Sequence, residues 1–119
     1  AINKKNTNII NYLIDQGADI NIKNTDGDTP LIIATKKNYM ECCEKLISND
    51  VDVHCKDISG NTPLMIAIKN ENYGLTQLLI GNSCINDENK LGETPLYLSI
   101  IHNSIEIRNL LIKHGANIN

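Results

Sequence analysis

The stretch Asp26–Ala34, "DGDTPLIIA", sets a proline directly behind a threonine and ahead of an apolar run. The setting returns as "SGNTPLMIA" over Ser59–Ala67 and as "LGETPLYLS" over Leu91–Ser99. Threonine before proline reads as a helix start. The hydroxyl accepts a backbone N–H left free at the helix end, and proline at the first helical position lacks only an N–H that would be unbonded anyway. Thr29, Thr62 and Thr94 are therefore the expected N-caps. Gly27, Gly60 and Gly92, each two residues earlier, supply the positive φ of a tight turn. Each copy reads as turn, then helix.

The spacing is 62 − 29 = 33 residues and then 94 − 62 = 32, a period that marks a repeat array. Ile80 still lies 33 residues after Ile47, whereas Asn86 lies 32 after His54, so the missing residue falls within "GNSCI" at a helix end. Aligned copies hold certain columns apolar: Leu13, Leu46, Leu79 and Leu111; Ile14, Ile47, Ile80 and Ile112; Ile9, Cys42, Leu75 and Ile107. The helix before them contributes Leu31, Leu64 and Leu96, then Ile33, Ile66 and Leu98, with small residues Ala34, Ala67 and Ser99 that permit close helix approach. Apolar positions three and four apart give two helices per repeat. Asn11, Glu44, Gln77 and Asn109 form a polar column on the solvated face. Helices this short are marginal alone, so the copies must stack on one another.

The order Gly-x-Thr-Pro-Leu, a small residue three on, two Leu/Ile-rich turns, then "GADIN" at Gly17 and "GANIN" at Gly115 resembles the ankyrin repeat over essentially the whole chain. The resemblance implies an all-α solenoid of stacked helix-turn-helix repeats with projecting β-turn or hairpin loops. It would form one array over 1–119, with a partial repeat over 1–24 and repeats over about 25–57, 58–89 and 90–119. Ala1 aligns with Ala34 in mid-helix, so the sequence reads as a segment of a longer array. The family has His after Thr-Pro-Leu; here Ile32, Met65 and Tyr97 stand in that place, without the Thr-to-His hydrogen bond.

Charge and composition narrow the function. A net charge of −3 with one arginine gives no clustered cations for a phosphate backbone, which excludes nucleic acid as the expected partner. Lys4-Lys5 and Lys36-Lys37 read as solvated residues at helix ends. No apolar run approaches the ~20 residues of a membrane span, and no signal peptide is visible. Aromatic content is 3%, so the core must be aliphatic. The four cysteines, Cys42, Cys43, Cys55 and Cys84, form no C-x-x-C pair and read as structural thiols, with no metal. No Asn-x-Ser/Thr acceptor with a permitted middle residue occurs, which fits an intracellular site, cytoplasmic or nuclear.

Catalysis finds no footing. His54 beside Cys55 occupies a turn column with Asn21, Asn86 and Asn119, and neither His102 nor His114 has a carboxylate placed to orient it. Asp26 and Asp28 lack the further oxygen ligands of a calcium loop, and the glycines stand singly rather than in a phosphate loop. The expectation is a monomeric protein-binding module without cofactor. The alternative is a structural spacer or regulatory arm of a larger protein.

The resemblance places the binding surface on the concave side, at the hairpin positions Thr25, Asp26, Asp28, Ile58, Ser59, Asn61, Lys90, Leu91 and Glu93. Late in the first helices it adds Lys36, Lys37, Lys69, Asn70, Ile101 and His102. Ile58, Leu91 and Ile101 are apolar where their column mates are polar, so they are the expected centre, with Lys69, Lys90 and Glu93 at the rim.

Overall fold

The structure, a computed structural model, describes residues 12, 15–17, 20–81 and 85–116. The readings made for Ala1, Lys4, Lys5, Ile9, Asn11, Leu13, Ile14, Cys84 and Asn119 lie outside the described residues.

Each Thr-Pro opens a helix as its chemistry dictates. α1 spans Pro30–Lys36, α2 Met40–Ser48, α3 Pro63–Lys69, α4 Tyr73–Ile80, α5 Pro95–Ile101 and α6 Ile105–Lys113. Thr29, Thr62 and Thr94 sit in extended backbone, and their Oγ1 atoms accept the N–H of Ile32 at 3.3 Å, Met65 at 3.3 Å and Tyr97 at 3.2 Å. Each first helix turns back into its second helix through a left-handed residue: Asn38 (φ 60°), Glu71 (φ 55°) and Asn103 (φ 55°).

Helices this short are held by neighbours. α1 packs on α2, α3 on α4 and α5 on α6, while α1 also packs on α3, α3 on α5, and α4 on α6. The core runs through the stack: Leu31, Leu64 and Leu96 from the first helices, and Leu46, Leu79 and Leu111 from the second, are all buried. Ala34, Ala67 and Ser99 are buried where the helices approach, and Glu44, Gln77 and Asn109 face solvent. Tyr97 shows what stacking does. Its column mates Ile32 and Met65 are fully buried beneath the next helix pair, whereas Tyr97 on α5 is half-exposed. In place of the histidine contact, Ile32 packs with Cys55 and Ile66, and Thr29 Oγ1 lies 3.2 Å from Cys55 Sγ.

Asparagine side chains stitch one helix pair to the next. Asn70 Nδ2 donates to the Thr35 carbonyl at 3.2 Å and the Lys36 carbonyl at 3.4 Å, serving carbonyls at the C-terminal end of α1, and Asn72 Nδ2 donates to Asn38 Oδ1 at 3.0 Å. Among the described residues, Cys42, Cys43 and Cys55 are buried and form no disulfide.

The hairpin glycines and the buried thiols have measurable consequences. Gly27 and Gly60 both have φ +80°, but a Cβ on Gly27 would meet nothing within 4 Å, whereas one on Gly60 would lie 2.8 Å from the backbone nitrogen of Lys90. Gly27→Ala should lose about 1 kcal/mol from backbone strain alone, and Gly60→Ala roughly 1–3 kcal/mol more, because a neighbouring backbone cannot rotate away. Urea unfolding measures both, and equal losses would refute the hairpin contact. Burial pushes the Cys43 thiol from 9.0 up to about 11, only partly opposed by its contact with Thr35. Below pH 9 the buried neutral thiol costs nothing by this route. Between pH 9 and 11 the unfolded chain gives up a proton that the native state keeps, so stability falls across that window. A Cys43→Ala protein should show a shallower decline in unfolding free energy there; parallel curves would contradict the buried thiol.

Candidate interaction surface

The hairpins are built on one side-chain oxygen each. Asn24 Oδ1 accepts the N–H groups of Asp26 and Asp28, both at 2.9 Å. Asp57 Oδ1 does the same for Ser59 at 2.9 Å and Asn61 at 2.8 Å, and Asn89 Oδ1 for Leu91 at 3.0 Å and Glu93 at 2.9 Å. The main chain closes the same loop, with the N–H of Asn24, Asp57 and Asn89 reaching the carbonyl four residues on. Asn or Asp three residues before each glycine was the sequence signal for this Asx turn, and the period-and-cap reading missed it.

Neighbouring hairpins are then joined. The Lys90 N–H donates to the Ser59 carbonyl at 3.0 Å, and Asn89 Nδ2 donates to both Asn61 Oδ1 and Glu93 Oε1 at 2.8 Å. At the first hairpin Lys36 Nζ lies 3.2 Å from Asp28 Oδ2 and 3.9 Å from Asp57 Oδ2, spanning two hairpins.

These bonds sort the expected contact residues. Of these, Asp28 and Asn61 are buried, at 9% and 5% exposure, Asp28 against Lys36 and Asn61 against Asn89 of the adjoining hairpin. Lys36 is exposed but answers the Asp28 and Asp57 carboxylates. Asn70 is exposed but committed to the end of α1, and Glu93 is half-buried against Asn89. His102 is half-buried and caps α5 through its backbone. Thr25, Asp26, Ser59 and Lys90 at the tips, and Lys37 and Lys69 at the helix ends, are exposed. So are the three aliphatics: Ile58 at 74%, Leu91 at 81% and Ile101 at 50%.

Between the first two hairpins runs an open groove of about 310 Å³ lined by Lys23, Thr25, Asp26, Gly27, Lys56, Asp57 and Ile58. Lys23 and Lys56 were not among the expected contact residues; the signal was a lysine in the same column ahead of two successive hairpins. Among the described residues no group of three or more His, Cys, Asp or Glu is placed to hold a metal ion, and no helix is long and apolar enough to cross a membrane.

Comparison with known proteins agrees with this architecture. A family profile described as ankyrin repeats (3 copies) matches residues 1–84 and 37–119. An ankyrin repeat protein of Fowlpox virus (strain NVSL), FPV031, is 35% identical over 124 residues, covering 100% of this chain and 36% of its own length. The ankyrin repeat protein L371 of Acanthamoeba polyphaga mimivirus is 29% identical over 121 residues, covering 100% of this chain and 16% of its own length. A third relative, L271 of the same virus, is 44% identical over 41 residues, which is 34% of this chain and 6% of its own length. The chain thus spans well under half the length of these relatives. Ankyrin repeats are in general non-enzymatic modules for protein–protein interaction. With three Thr-Pro-capped helix pairs stacked behind Asx-turn hairpins, and the family profile matched from end to end, this chain belongs to the ankyrin repeat family.

Proposed function

We propose that the chain binds a partner protein, as a monomer, through its hairpin tips and the exposed ends of its first helices. The observation that carries this reading is the exposure of Ile58 and Leu91, 74% and 81%, on hairpins whose turns are closed by side-chain and main-chain hydrogen bonds. Aliphatic side chains held out on a rigid frame lose little entropy when a partner covers them, which favours binding over a spacer role. A reducing intracellular compartment suits buried cysteines that form no disulfide.

The division between frame and contact surface is testable. Ile58→Ala and Leu91→Ala should each weaken partner capture by about 2 kcal/mol if they are hot spots, while thermal unfolding stays unchanged. Loss of stability with the same partners retained would make them packing residues and defeat the proposal. Lys36→Met should behave in the opposite way. It strands the Asp28 carboxylate, whose Oδ1 is buried without a hydrogen-bond partner, and should cost about 1 kcal/mol of stability, part of it recovered by adding Asp28→Asn. A double-mutant cycle with no coupling would show that the ion pair does not hold the hairpin.

A further inference from the structure

The same face also has a chemical character, and the inference drawn from it rests on the proposal that this face binds protein. Although the chain carries a net charge of −3, its lysines gather here: Lys23, Lys37, Lys56, Lys69 and Lys90 are all exposed. The acids on this side equal the lysines in number but sit deeper, so the outermost charges are mainly cationic. Asp28 and Asp57 answer Lys36, and Glu93 accepts from Asn89. Asp87 is half-buried, which leaves Asp26 and Glu88 exposed. The second helices are balanced, with Glu41, Glu44 and Glu106 set against Lys45, Arg108 and Lys113, and the exposed Asp50 and Asp52 follow α2. The groove between the first two hairpins brings Lys23, Lys56 and Ile58 around one hollow, so two cations flank an aliphatic side chain. Toward the third repeat the face turns aliphatic, with Leu91 on the hairpin and Ile101 in the column that carries Lys36 and Lys69.

The geometry points to an acidic peptide segment with aliphatic anchors as the partner of this face. Its carboxylates lie over Lys23, Lys37, Lys56 and Lys69, and its Leu- or Ile-type side chains seat at Ile58, Leu91 and Ile101. Charge complementarity selects the acidic segment and speeds its arrival, and the aliphatic contacts hold it.

The test uses two fluorescein-labelled probes of about a dozen residues that share their leucines. One carries glutamates, and its counterpart carries lysines at the same places. Anisotropy should show the glutamate probe binding and the lysine probe failing to bind, with affinity for the glutamate probe falling as salt screens the lysines. Lys23→Glu/Lys69→Glu should weaken the glutamate probe on the order of ten-fold or more while the unfolding midpoint holds. Equal binding of the two probes, binding of neither, or indifference to the charge reversal would overturn the assignment. Displacement of the glutamate probe by a single-stranded oligonucleotide at matched charge would also overturn it, by making the face a general polyanion site. If the acidic chemistry fails while Ile58→Ala and Leu91→Ala still lose their captured partner, only the partner class is wrong. If those variants keep the partner, the surface itself is wrong.

Discussion

One carboxamide or carboxylate oxygen organises each hairpin, and the rest of the array depends on it. By accepting two backbone N–H groups at once, Asn24, Asp57 and Asn89 fix a turn that the left-handed glycine then completes. The turn delivers the threonine in extended backbone, and its hydroxyl can cap a helix only from that conformation. Hairpin and first helix are therefore one continuous device, and an error in the Asx turn would misdirect the helix after it.

Stacking supplies what the short helices lack. A helix of seven residues, such as α1 or α3, cannot repay its nucleation alone, so its stability comes from burying leucine columns against the helices before and after it. The polar stitches join backbone ends and side chains that the stacking brings together. Asn70 reaches the carbonyls ending α1, and Asn89 spans Asn61 and Glu93 within the hairpin row. Specific register between repeats thus comes from a few amides, and most of the driving force from aliphatic surface.

The helix starts, turn glycines and buried columns were legible in the sequence, because each rests on local chemistry or on periodicity that three copies repeat. The orientation of polar residues was not. Asp28, Asn61 and Glu93 share a variable hairpin column, and variability does not distinguish a side chain facing a partner from one facing the neighbouring hairpin. Lys36 read as a solvated helix-end cation, since its partners lie eight residues back and in the next repeat, a relation that only the packed array creates. Lys23 and Lys56 escaped notice for a related reason: the groove they line exists only between two hairpins. The exposed aliphatics were easier to find, because an isoleucine in a column shared with threonine and lysine breaks a polar pattern that alignment of the copies alone makes plain.

The two joints between hairpins are made of different material. Hairpins two and three are coupled by a main-chain bond from Lys90 to Ser59, with Gly60 held close against the Lys90 nitrogen, an arrangement with the stiffness of a strut. Hairpins one and two are spanned by the Lys36 side chain, whose ammonium is 3.9 Å from Asp57 and which behaves as a spring that dissolved ions soften. A bending load along the array would open the first joint before the second. The gap beside Ile58 is therefore an elastic seam at the edge of a rigid pair, since the strut joins the hairpins that carry Ile58 and Leu91.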